Sequence, residues 1–211
     1  MNESKESSDK SRLTWSRDLD VEITEDEWKR VCHDAQTQTI NTRYKLLQFK
    51  WIMRTYITPE SLLHRFDNNN PDVCIKCGLE EGILFHCLWS CPNIKSFWEK
   101  VIETISDVIC TVLPVRPRIF ILGVLPPDLQ LSSLNRKIVI LCSLLAKHCI
   151  AVTWKSTETP TVSHWLKSLS NCLALEKLTY ASKGKMKMFL KVWGQFMGFL
   201  ESLQARDLLD I

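Results

Sequence analysis

The sequence predicts an all-α fold in which a small knuckle is embedded between helices and followed by a helical bundle. Three observations carry that expectation. Apolar residues recur every three or four positions in several stretches, the spacing of one buried helical face. Residues that favour helix starts (Thr and Pro) precede many of those stretches. Alternating runs of useful length are missing, so strands are not expected.

Residues 1–14 are expected to form a disordered tail, because the first twelve are rich in Ser, Lys, Asp and Glu. A helical region then spans 15–113. Its first start signal is Thr24-Glu25-Asp26-Glu27, where Thr24 can cap free amides while Glu27 reaches back, and Ile23 can pack on Trp28. That helix runs to about Ala35, and Gln36 to Ile40 reads as a polar connector. Residues 42–55 form the next helix, with Leu46, Leu47, Phe49, Ile52 and Met53 at core spacing. Thr58-Pro59-Glu60 opens a short helix, with Thr58 as cap and Pro59 at the first helical position. It ends in the turn-rich run Arg65 to Pro71.

The knuckle occupies residues 74–91. Cys74, Cys77, His86 and Cys91 are spaced C-x2-C-x8-H-x4-C, which suits a tetrahedral zinc ion in a structural site. Two thiols two residues apart share a tight turn, and Gly78 lets the backbone close beneath them. His86 and Cys91 flank about one helical turn, so both can face inward. Cys87 is adjacent to His86 and could replace it; His86 is preferred, which leaves Cys87 as a buried thiol. After Cys91, Pro92 begins an amphipathic helix of about 20 residues, marked by Ile94, Phe97, Trp98, Val101, Ile102, Ile105, Val108, Ile109 and Val112 and stopped by Pro114 and Pro117.

Residues 114–131 are expected to be a linker, with Arg118 to Leu125 as a short apolar stretch that is either buried and extended or a true connector. A three-helix region follows over 132–205. Leu134 to about Ser156 is apolar almost all round and should be central. Thr159-Pro160 starts the next helix, with Trp165, Leu166, Leu169, Cys172, Leu173 and Leu178 inward. Lys185 to about Leu203 is the last, with Phe189, Val192, Trp193, Phe196 and Leu200 inward.

The 211 residues are 45% hydrophobic and 24% charged, which excludes a disordered chain and allows one sizeable core or two small ones. Nine cysteines, an odd number with five scattered singly, fit a reducing compartment, cytoplasm or nucleus, better than a disulfide scaffold. The charged N-terminus does not read as a signal peptide, and no apolar run approaches the length of a membrane span. Charge is uneven: residues 1–27 hold nine acids and four bases, so the remainder carries +8 within a net charge of +3. Asn41 to Tyr56 contains four cations and no acid, which suits a polyanion.

These residues resemble a known family. Trp15-Ser16-Arg17-Asp18-Leu19, Tyr44-Lys45-Leu46-Leu47, Arg54-Thr55-Tyr56-Ile57-Thr58-Pro59-Glu60 and CIKCGLEEGILFHCLWSCPNIKSFW are similar to the C-terminal zinc-binding region of LINE-type (non-LTR) retrotransposon reverse transcriptase polyproteins. Pro117-Arg118-Ile119-Phe120-Ile121-Leu122-Gly123, Ala146-Lys147, Trp154-Lys155 and Leu175-Glu176-Lys177-Leu178-Thr179-Tyr180 extend the likeness, which covers roughly residues 15 to 203. The resemblance implies that Cys74, Cys77, His86 and Cys91 hold zinc. It also implies a nucleic-acid-binding appendage that helps a polymerase hold RNA and target DNA.

No enzyme is expected. The chain has no Asp-Asp dipeptide for a polymerase metal pair, no phosphate-binding Gly-rich loop and no dinucleotide fingerprint. By the resemblance, the endonuclease and polymerase portions would lie upstream, so the chain is expected to be a detached tail. The expected function is binding of RNA or single-stranded DNA through a basic face near the knuckle. Charge and exposure select Arg43, Lys45, Lys50, Arg54, Arg65 and Lys76 for it, with Trp89 as a stacking platform. The alternative is a structural or protein-interaction domain that docked on the polymerase body, or a remnant without function.

Overall fold

A computed structural model describes residues 2–58 and 73–204. Among these residues it contains eight α-helices, one π-helical turn and no strand beyond an isolated bridge between Val73 and Glu81. The all-α expectation holds. The short helix expected from Thr58-Pro59-Glu60 falls on residues outside the described ones. No helix among the described residues is long and apolar enough to cross a membrane.

The first correction is at the N-terminus, where the expected disordered tail 1–14 gives way to α1 (Asn2–Asp18). Its polar composition hides one apolar anchor and two small polar partners. Trp15 is completely buried, and its indole N–H donates to the Ile52 carbonyl at 3.0 Å. Ser11 Oγ donates to the Met53 carbonyl at 3.3 Å, and Ser8 Oγ accepts from Trp28 Nε1 at 2.8 Å. Composition averages over such contacts and misses them.

α2 (Glu25–Thr37) starts as expected. Thr24 Oγ1 accepts from the Glu27 amide while the Glu27 carboxylate accepts from the Thr24 amide, a complete capping box. α3 (Thr42–Ile52) is capped by Asn41, but it is turned from the expected orientation. Leu46 and Phe49 are exposed, and Gln48 and Trp51 face inward with Ile52. The reason is a buried polar match. Lys147 is 2% exposed, and its Nζ donates to Gln48 Oε1 at 2.6 Å and to the Ile121 carbonyl at 2.7 Å. An unpaired buried ammonium would be far more costly than an exposed leucine, so Gln48 takes the core position.

α4 (Pro92–Val108) buries Ile94, Phe97, Trp98, Val101, Ile102, Ile105 and Val108, as the periodicity requires. The expected linker 114–131 is the second correction. Within it, α5 (Pro117–Leu122) buries Ile119, Phe120, Ile121 and Leu122. Gly123 then ends the helix at φ +73°, and a Cβ there would stand 3.3 Å from the Ile140 side chain. Only glycine closes this turn without strain or crowding.

α6 (Ser133–Val152) is the expected central helix, buried on nearly every side from Ile138 to Ile150. It packs against α3, α4, α5, α7 (Val162–Ser182) and α8 (Met186–Gln204). α4 also touches α7 and α8, so one continuous core runs from Trp15 to Leu200. The helical region and the three-helix region expected on either side of a linker therefore share that core. Leu178 of α7 is exposed rather than inward.

Candidate metal centre

Cys74 and Cys77 lie on one tight turn. The Cys74 carbonyl accepts from the Gly78 amide, and the Cys74 amide donates to the Glu80 carbonyl, both at 2.7 Å. Gly78 sits at φ +65°, a left-handed conformation that costs glycine little and a side-chain-bearing residue about 1–2 kcal/mol. Closing the turn this way aims the amides of Cys77 and Lys76 at the Cys74 sulfur.

The other two ligands come from the π-helical turn His86–Ser90 and the start of α4. The Cys91 amide donates to the His86 carbonyl at 3.0 Å, a five-residue closure. In an α-helix, residues five apart would be rotated about 140° from each other. The wider turn reduces that angle and lets both side chains converge. Trp98 Nε1 donates to the Leu88 carbonyl at 2.8 Å, satisfying a buried acceptor within the turn.

The four ligand atoms lie within 4.8 Å of one another, and three of the four residues are buried. Cys74 Sγ and Cys91 Sγ are 3.8 Å apart, and Cys77 Sγ and His86 Nε2 are 3.4 Å apart. A tetrahedron with metal–sulfur bonds of about 2.3 Å and a metal–nitrogen bond of about 2.0 Å has edges of about 3.8 and 3.5 Å. The spacing thus fits an ion and is far beyond the roughly 2.05 Å of a disulfide. All nine cysteines are free thiols.

His86 is oriented by its second nitrogen. Nδ1 lies 2.9 Å from Glu80 Oε2 and 3.4 Å from Ser90 Oγ. A ring that donates from Nδ1 to the Glu80 carboxylate offers the Nε2 lone pair to the cluster, the carboxylate–histidine–metal arrangement. Glu80 is not legible in the sequence, because an acid in a loop carries no spacing signal.

Cys87 is buried but stands outside the four-atom group, so the preferred ligand His86 is the one placed. The Cys87 thiol hydrogen-bonds Cys74 and is the main reason that the Cys74 thiol is held well below its ordinary pKa; burial opposes it, and the amides of Cys77 and Lys76 assist. Burial pushes Cys91 up, with the charge on Cys74 adding to it. A cation between the two sulfurs removes that mutual opposition, which couples metal binding to deprotonation. Four protein ligands leave no open position for water.

Two side chains tie the cluster to the bundle. Lys76 Nζ donates to the Thr153 carbonyl at 2.8 Å, the Ser156 carbonyl at 3.2 Å and the Glu158 carbonyl. Asn93 Nδ2 donates to the Lys76 carbonyl. Burial lowers the Lys76 pKa, and the thiol groups of Cys74 and Cys91 counter it by favouring the charged form.

Lys76 is therefore a structural bolt at the end of α6, which removes it from the expected nucleic-acid face. Arg54 is withdrawn as well: it pairs with Asp18 at 2.6 Å and lies 4.6 Å over the Trp15 ring. Trp89 is half-buried, stacked on Phe120 at 6.0 Å and tilted on Trp98 at 5.1 Å. It braces the π turn and is not a free platform. Arg65 lies outside the described residues. Arg43 and Lys50 remain exposed and Lys45 half-exposed, and among the described residues no carboxylate pairs with any of them. Compared with models of known protein families, the chain matches none.

Proposed function

We propose that this chain is a non-catalytic, zinc-stabilised helical module that binds RNA or single-stranded DNA. Three thiolates and one imidazole in a closed tetrahedron favour zinc over harder cations, which prefer oxygen ligands. The observation that carries the binding half is on α3, where Arg43 and Lys50, seven residues apart, share one face without a carboxylate partner among the described residues, while Lys45, also unpaired, lies on another side of the helix. The likeness to the C-terminal region of LINE-type polyproteins points the same way, toward an appendage of a reverse transcriptase acting in cytoplasm or nucleus. Zinc content of the purified protein, together with an RNA gel shift at two salt concentrations, tests this. One zinc per chain and binding that weakens steeply with salt are expected; a metal-free folded chain, or no binding at low salt, refutes it.

A second reading is a docking domain for a polymerase body. It is favoured by Leu175 and Leu178, three residues apart on α7 and 55% and 68% exposed. Retention of RNA binding after both leucines are changed to Ser separates the two.

A further inference from the structure

Two open cavities, about 370 and 400 Å³, lie side by side between α3 and the C-terminal half of α6. Lys50, Tyr56, Ala151 and Val152 line both, so together they form one groove. Each volume falls in the range of about 300–1,000 Å³ that holds a small ligand.

The lining combines three features. Its charged groups are Arg43, Lys50 and Lys155, all exposed, and no acid lines either cavity. Its floor is apolar and aromatic, with Val152 58% exposed and Tyr56 stacked on Trp51 at 4.2 Å. In its wall, His148 Nδ1 is buried without a hydrogen-bond partner. Cations alone would suit any polyanion, and an apolar floor alone would suit a protein helix. Cations flanking an aromatic floor suit a strand whose phosphates and unstacked bases are both available. A duplex keeps its bases stacked inside and offers only phosphates to such a surface.

We infer that this groove is the binding channel for a single-stranded nucleic acid, with Arg43, Lys50 and Lys155 on phosphates and Tyr56 beside a base. This rests on the nucleic-acid reading above and names its site. Lys155 and Tyr56 join Arg43 and Lys50, while Lys76, Arg54 and Trp89 take no part.

The experiment uses fluorescence anisotropy of the zinc-loaded full chain with a labelled twelve-nucleotide oligouridylate and a twelve-base-pair RNA duplex. Three phosphate contacts give a slope of log K against log salt of about −2. The paired reversal Lys50→Glu and Lys155→Glu should weaken oligouridylate binding at least tenfold and flatten the slope. The same charge change at exposed Lys187 and Lys191 of α8 should leave it within about twofold, with circular dichroism confirming that both variants fold. Equal losses from both pairs, unchanged binding by the groove pair, or equal affinity for the duplex each overturn the groove while leaving the nucleic-acid reading standing. Absence of binding by the unmodified chain at low salt overturns both.

Discussion

Cys74 Sγ and Cys91 Sγ stand 3.8 Å apart although seventeen positions separate them in the chain. No disulfide joins them, and two buried sulfurs at that distance repel once both are ionised. The span therefore stays closed because a cation lies between them or because packing holds it. Structural zinc contributes folding free energy of about 10 kcal/mol in small domains. Replacing both cysteines by Ser, or stripping the metal with a chelator, should abolish stoichiometric zinc and release amide protection over residues 74–94. The loss should reach Thr153 to Glu158 through Lys76, while Ile138 to Ala146 stays protected. Unchanged hydrogen exchange in 74–94 would assign the closure to packing alone.

Glu80 offers a gentler test of the same centre. Its carboxylate accepts from His86 Nδ1 from a side chain that is 63% exposed, so removing its charge disturbs little packing. Outer partners of ligating histidines typically govern metal affinity by about 10–100-fold. Glu80→Gln should therefore weaken zinc in competition with a chromophoric chelator by about that factor, without changing helicity in the zinc-loaded protein. An unchanged affinity would mean that His86 is held by the π turn and not by the carboxylate.

Trp15 decides whether α1 belongs to the folded body. It is completely buried, bonds the Ile52 carbonyl and carries the Arg54 guanidinium over its ring. Large-to-small changes at such aromatic sites cost about 3–5 kcal/mol. Trp15→Ala should lower the urea midpoint by a corresponding amount. A change below about 0.5 kcal/mol would favour the disordered tail that composition suggests for residues 1–14.

What could be seen in the sequence follows from what each signal measures. Ile94 to Val108 and Ile138 to Ile150 were legible because burial there is repeated at helical spacing, and the ligand spacing from Cys74 to Cys91 was legible because it lies within eighteen residues. Structure and local sequence part where one long-range contact outweighs local character. Trp15 overrides a polar helix, and Gln48 displaces Leu46 and Phe49 from the core to meet Lys147, 99 positions away. Lys76 and Arg54 looked like free cations because nothing local shows that Thr153 and Asp18 will meet them. Charge can be counted from a sequence, but its partners cannot.

Lys147 sets a pH dependence with a definite sign. Burial lowers its pKa from 10.5 to about 7 in the folded chain, and its acceptors are the neutral Gln48 and Ile121 groups. Between pH 7 and about 10.5 the unfolded chain binds a proton that the folded chain has shed. Stability from this group therefore rises as pH increases through that window, by up to about 1.4 kcal/mol per pH unit. Buried thiols such as Cys142 and Cys149, raised by burial, act in the opposite direction near the upper end of that window. The informative quantity is accordingly the difference between the protein and its Lys147→Met variant, which keeps the chain length and removes the amine. Urea unfolding at pH 7.0 and 8.5 should show the unmodified protein gaining about 1–2 kcal/mol relative to the variant over that interval. Parallel stability curves for the two would mean that Gln48 and the Ile121 carbonyl hold the ammonium charged throughout.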